Sequence, residues 1–431
     1  MSLVRWGRPV AQVAFVVGGI AGLLACGEPA SPPPPAVAEA PAPPTADVGP
    51  AEPLPSLVVV QAAFTTEGGR PKPGPATMVL LRKEGETWHR VEITDPESNV
   101  FHKAMPWRGG LLTIGAMKAK LKHWTKGADG VWAARTLWER SWGGRFDRLR
   151  DVELADFDGD GREEIVLATH DQGVVAVGRE GADGAWTFTE LDQKPDTFVH
   201  EIEIGDVDGD GRKEFYATPS ARNRASGESQ PGSVVRYDLG TDGTWTRSTV
   251  VEFAESHAKE ILVADMDSDG TDELYVVREA HTVKEGEGTK RVDPVRVVRF
   301  SPGSERGWTE QVVATLDDDQ CRFALAADVD ADGARELVLA GYKSGIWYGE
   351  RSADGTFTMA SIDRESSGFE HAAHAADLDG DGKVELYVAA DDQKEIRRYT
   401  WNGSGFVRTV IAPVGPAERT HITWNLQDGR L

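Results

Sequence analysis

From Leu57 onward the chain is written in short apolar runs broken by tight turns, and the runs recur in fours. Residues 201–205, 214–218, 234–239 and 245–251 make one such set, each of strand length and each bounded by turn-forming residues. A glycine- or aspartate-rich turn that runs into a large aromatic marks the last strand of every set. The aromatics are Trp88, Trp132, Trp186, Trp245, Trp308, Phe357 and Phe406, and they are expected to pack between adjacent sets. The pattern predicts an all-β fold, a seven-bladed β-propeller of four-stranded blades, since a ring of short sheets leaves only small, protected edges. Residues 422–426 read as an inner strand with nothing after it. They are expected to pair with 57–64 and close the ring between the two chain ends.

Between the first and second strands of five sets stands one polar motif. Asp206, Asp208 and Asp210 occupy positions one, three and five, Gly211 position six and Glu214 position nine. Asp156, Asp158, Asp160 and Glu164 repeat the pattern, as do Asp265, Asp267, Asp269 and Glu273. Asp328, Asp330, Asp332 and Glu336 follow, then Asp377, Asp379, Asp381 and Glu385. The first aspartates lie 49 to 63 residues apart. Carboxylates at alternate positions converge only if the backbone curls, and the glycine after the third permits φ > 0. Without a cation they would repel one another. Ca²⁺ fits such an irregular oxygen cage better than Mg²⁺, and up to five ions are expected. The opening resembles an EF-hand loop, but the closing acid comes at nine and a strand follows it.

The ends and the charge narrow the setting. Residues 1–25 read as a lipoprotein signal peptide: Arg5 and Arg8, then an apolar run from Val10 to Ala25, too short for a comfortable span. The run ends Leu23, Leu24, Ala25, Cys26, like a bacterial lipobox, so Cys26 is the expected lipidation site. Gly27 after it favours the outer membrane of a Gram-negative envelope. Residues 26–56 are rich in proline and alanine and read as a tether, reaching up to roughly 90 Å at ~3.1 Å per residue. The propeller is assigned to 57–431. With Cys26 acylated, only Cys321 remains, so no internal disulfide can form. The formal net charge of −23 is largely accounted for by expected metal ligands, and nothing points to nucleic acid.

The Asp-x-Asp-x-Asp-Gly-x-x-Glu loops resemble those of the FG-GAP/VCBS repeat family, which includes the integrin α-subunit propeller and some fungal lectins. The resemblance covers about 57–431. It implies side-chain ligation by the aspartates and glutamates named above, with a backbone carbonyl at position seven (Arg162, Arg212, Thr271, Ala334 or Lys383) as a further ligand. Neither the Phe-Gly nor the Gly-Ala-Pro half of the family motif is present here, which weighs against integrin-like partners.

Six residues before each loop stand Arg150, His200, Lys259, Arg322 and His371, and strand alignment of the two remaining blades adds His102 and Arg419. All seven are basic. By the orientation the resemblance implies, they ring the upper mouth of the central channel. The neighbouring loops carry Lys118, His170, Arg222, His281, Lys343 and Lys394. Two readings stand: a cationic funnel for an anionic ligand, or bases paired with the acids of neighbouring blades, such as Asp151, Glu201 and Glu260. The expected function is a cell-envelope binding module for an anionic glycan or a protein partner. The alternatives are a polysaccharide lyase or hydrolase working in the funnel, and a purely structural scaffold. No nucleophile elbow or zinc-spaced histidine pair supports catalysis.

Overall fold

The computed structural model describes residues 54–431, apart from 69, 116, 225, 304–306 and 416–419; the leader, Cys26 and the tether lie outside the described residues. Seven antiparallel sheets form the ring, and the described residues contain strands but no helix. Blade 1 is built from both ends of the chain. Its inner strand is Thr420–Arg430, followed outward by Pro55–Glu67, Ala76–Glu84 and Thr87–Asp95. Leu57 pairs with Asp428 and Ala62 with Ile422, so the ring closes as the apolar pattern predicts. Blades 2 to 7 follow in order, with inner strands Phe101–Trp107, Leu149–Ala155, Thr197–Gly205, Ala258–Ala264, Cys321–Ala327 and Ala373–Ala376. Blade 5 carries an additional hairpin, His281–Glu285 with Gly288–Asp293, between its second and third strands.

The seven turn aromatics hold the blades to one another. Trp186 meets Trp107 of the preceding blade at 5.9 Å, Trp245 meets Phe157 at 5.2 Å, and Trp308 meets Tyr216 at 6.2 Å between ring centroids. Phe357 and Tyr275, Phe406 and Tyr348, and Trp88 and Tyr387 continue the series to the closing blade. Trp132 packs into the blade 1–2 core beside Val91 and Phe101. Most of these pairs are edge-to-face, a geometry worth about 0.5–1.5 kcal/mol beyond area burial. The core is therefore distributed between blades rather than gathered at one centre.

The inner strands share an irregularity. Pairing with the second strand skips His102, Arg150, Lys259 and Arg322, and in blade 4 the shift falls across His200. A β-bulge leaves the extra residue out of the ladder and re-aims its side chain. Blade 1 has the same bulge, but the residue in it is Trp424.

Candidate metal loops and channel mouth

Each acidic loop joins an inner strand to the second strand of blades 3 to 7, so all five lie on one face of the ring. Their folding is local. Asp206 accepts hydrogen bonds from the backbone N–H groups of Asp210 (3.0 Å) and Gly211 (2.8 Å). Glu214 accepts one from Val207 N–H at 3.0 Å, tying position nine back to position two. The other loops repeat both contacts, for example Gly382 N–H to Asp377 (2.9 Å) and Val329 N–H to Glu336 (2.8 Å). Position six is a left-handed glycine throughout, with φ +82° at Gly211. Position four is left-handed as well, and it is not always glycine: Ser268 and Ala331 both stand at φ +60°, a conformation costly for such residues unless the surroundings impose it.

The carboxylates converge. In blade 6 all four of Asp328, Asp330, Asp332 and Glu336 offer oxygens within 4.8 Å of one another. Elsewhere three of the four do so: Asp156, Asp158 and Glu164; Asp206, Asp208 and Asp210; Asp265, Asp267 and Asp269; Asp377, Asp379 and Glu385. Asp160 is instead bound by Arg162 at 2.6 Å. Glu214, Glu336 and Glu385 are each pushed up to about 7, first by burial. Such all-oxygen sets suit a hard divalent cation.

A supporting layer is not evident from the loops alone. Tyr216 and Tyr387, two residues after the closing glutamate, donate to Glu214 (2.6 Å) and Glu385 (2.7 Å). Opposite them on the third strand, Arg236 and Arg398 reach Asp208 (2.5 Å) and Asp379 (3.3 Å). The Glu-x-Tyr of blades 4 and 7 is the sequence signal for this layer; blade 5 repeats the motif, but the Tyr275 hydroxyl has no hydrogen-bond partner among the described residues.

The other face carries the basic ring. His102, Arg150, His200, Lys259 and Arg322 are brought together at the channel mouth, whereas His371 turns to Gly341 and Ser366 and faces Asp318, Asp392 and Arg397 instead. Arg419 lies outside the described residues, and the bulge register gives its proposed place to Trp424. They do not form an open funnel. Arg322 is bound by Glu370 and lies 3.6 Å from Glu279, Lys259 lies 3.8 Å from Glu279, and Arg150 reaches Glu370 at 3.3 Å. Glu279 and Glu370 are 4% and 2% exposed, so this is a closed ionic plug. Among the described residues the expected pairing with Asp151, Glu201 and Glu260 is not found. Asp151 and Glu260 instead accept Ile202 N–H (2.7 Å) and Ala324 N–H (3.0 Å) from the next blade, and Asp151 also holds Lys103 at 2.9 Å.

The histidines are buried and neutral. His102 Nδ1 donates to the Leu149 carbonyl, and His371 Nδ1 to that of Gly341 at 2.6 Å. His170 stacks on Phe198 at 4.1 Å and stands 5.3 Å from His200, which is 6.0 Å from His257. Burial, reinforced by neighbouring cations, holds His102 and His200 well below the usual imidazole range and His170 at about 4. His170 and Asp171 share Arg148, which binds Asp171 at 2.6 Å.

Around this mouth the links between strands carry cations over aromatic faces. Arg148 lies 5.0 Å and Arg145 5.1 Å from the Phe146 ring, Lys343 4.7 Å from Tyr342, and Arg364 4.8 Å from Trp347. Arg145, Lys343 and Arg364 are exposed. Because strands alternate in direction, these links occupy the face opposite the acidic loops.

Residues 120–217 and 328–388 match the FG-GAP-like repeat family. No curated protein matches the sequence. Among solved structures, a protein from Lactobacillus plantarum is 13% identical at a TM-score of 0.53, over 86% of this chain and 99% of that one. A putative 6-phosphogluconolactonase from Bacteroides uniformis is 15% identical at 0.53, over 87% and 99%. A Synechocystis ACO mutant is 12% identical at 0.51, over 89% and 94%. At these identities the likeness is one of fold.

Proposed function

We propose that this chain, a propeller built of FG-GAP-like repeats, is a calcium-stabilised binding module of the cell envelope, anchored through an acylated Cys26. Its ligand is an anionic glycan, taken up on the face opposite the acidic loops. The observation that carries this reading is the set of exposed cations over aromatic rings at Phe146, Tyr342 and Trp347. Sugar rings stack their C–H faces on aromatics, while guanidinium and ammonium groups meet carboxylate or sulfate. The site thus moves from the channel mouth, whose bases are already neutralised by Glu279 and Glu370, to the rim around it. The loops hold calcium and stiffen a disulfide-free ring so that the rim keeps its shape.

A panel of acidic and neutral polysaccharides, assayed at low and at physiological salt, tests the reading. Saturable binding of acidic members, weakened by salt and at least fivefold by Lys343→Ala with Arg364→Ala, is expected. Equal affinity of that variant and the wild type would sink the rim assignment. Turnover of a bound polysaccharide would favour an enzyme.

A further inference from the structure

Beneath the ionic plug the central channel opens into a cavity of about 130 Å³. Five carboxyl groups line it, those of Asp151, Glu153, Glu201, Glu203 and Glu260, against one ammonium, Lys103. Arg150 and Arg322 at its upper wall are committed to Glu370 and Glu279. Lys103 is bound to Asp151 and Glu153. The carboxylates of Glu201 and Glu203 have no hydrogen bond or ion pair among the described residues, and Glu260 has Ala324 N–H alone. A separate group faces the same space. Asn425, on the closing strand, is 7% exposed and its Oδ1 has no partner among the described residues. Buried acceptors without donors are costly, and once ionised these carboxyl groups make a wall of acceptors with an excess of negative charge.

We propose that this cavity is a divalent-cation site separate from the acidic loops, in which a hydrated ion sits among Glu201, Glu203, Glu260 and Asn425. The ion is held through its own water molecules. Among the described residues, three or more carboxylate oxygens within 4.8 Å of one another occur at the five loops and not in the channel, so direct chelation is not preformed. Water bound to a cation is an O–H donor on every side, and the cavity has room for several waters at roughly 30 Å³ each. The charge also balances in this direction. Burial first, then the facing acids, pushes Glu201, Glu203 and Glu260 well above the usual carboxylate range despite Lys103 and Arg150. Such groups gain most from a positive partner.

Hexaamminecobalt(III) is a suitable probe. It is inert to ligand exchange, its N–H groups donate as metal-bound water does, and the loops, which offer direct oxygen ligands, do not admit it. Calorimetric titration of the calcium-saturated full chain at about 0.15 M salt, where long-range surface charge is screened, is expected to show one saturable site. Glu201→Gln with Glu203→Gln should weaken it at least tenfold; if that variant does not fold, Glu203→Gln alone should weaken it and leave the calcium content unchanged. Absence of the site in the wild type, or equal affinity in a folded variant, overturns the proposal. Either result leaves the polysaccharide test of the rim untouched.

Discussion

Arg150 and Glu370 stand 220 residues apart in sequence and 3.3 Å apart in space. They belong to the inner strand of blade 3 and the lead-in to blade 7, so their contact crosses the channel rather than joining neighbours. Glu370 also binds Arg322, and the three side chains close the mouth.

Glu370→Gln should therefore leave the buried Arg150 guanidinium without its carboxylate and Arg322 with Glu279 as its one remaining acid. Breaking a buried ion pair by removing one partner costs about 3–5 kcal/mol, and urea denaturation should show a loss of that size. Replacing Arg150, Arg322 and Glu370 together by apolar residues of similar volume should cost much less. If the triple variant is as unstable as the single one, the plug is not the electrostatic unit described.

In the loops two neighbouring aspartates should behave differently. Asp206 ties down backbone N–H groups at 3.0 and 2.8 Å, so Asp206→Ala should destabilise the ring by about 1–2 kcal/mol even in chelator. Asp208 makes no such backbone bond; it meets Arg236, which keeps Asp238 as a partner, so Asp208→Ala should matter chiefly when calcium is present. A filled site adds about 2.7 kcal/mol at a hundredfold excess over its dissociation constant. Metal analysis and thermal melts with and without chelator check both, with one calcium fewer per chain expected for Asp208→Ala.

Acid should weaken the fold through the histidines. His170 and His371 titrate at about 4 in the folded ring, against about 6.5 in an unfolded chain. Because the folded-state value is the lower one, the unfolded state takes up protons first. Their contribution is whole above about pH 6.5 and is lost as pH falls toward 4. Burial sets the direction; of the charged groups facing them, Arg148 and Arg150 at His170 and Arg397 at His371 add to it, while Asp171 at His170 and Asp392 and Asp318 at His371 oppose it. At saturating calcium, His371→Gln should flatten the stability profile between those limits while keeping the Ser366 contact (2.7 Å). An unchanged acid slope would show that the imidazole is not its source.

The anchor is tested outside the ring. Cys26→Ser should abolish acylation and move the protein from the membrane fraction to the soluble one, with the thermal melt of the propeller unchanged. Mass spectrometry that finds the mature wild-type chain beginning elsewhere and unacylated would contradict the lipobox reading.

The sequence makes the blades, the loops and the closing strand legible because each rests on a local, repeated signal: a turn into an aromatic, or carboxylates at alternate positions with glycine at six. The basic ring is legible as a position but not as an electrostatic state. Its counter-charges come from Glu279, after a second strand, and Glu370, beside His371, and neither repeats from blade to blade. The assignment of Arg419 assumed that the closing strand keeps the basic residue. There the bulge holds Trp424, whose ring lies 5.3 Å from the Arg150 guanidinium and 4.8 Å from His102. An aromatic face serves where a further cation would have added repulsion. The channel acids show the same limit, since Glu201 and Glu203 alternate along a strand as solvent-facing residues do, and only the closed ring turns them inward.

The clasp between the first and last strands also sets a clock. Gln61 and Thr423, paired in blade 1, are 362 residues apart. At a synthesis rate of about 5–20 residues per second, roughly 20–70 s pass between their appearances. Throughout that interval the strand from Pro55 to Glu67 has an open edge on its channel side, and its run of Leu57, Val58, Val59 and Val60, fully buried in the finished ring, is exposed to other chains. The ring is thus most vulnerable before its final eleven-residue strand arrives, and a chain cut short there carries every metal loop and nothing to shut the circle.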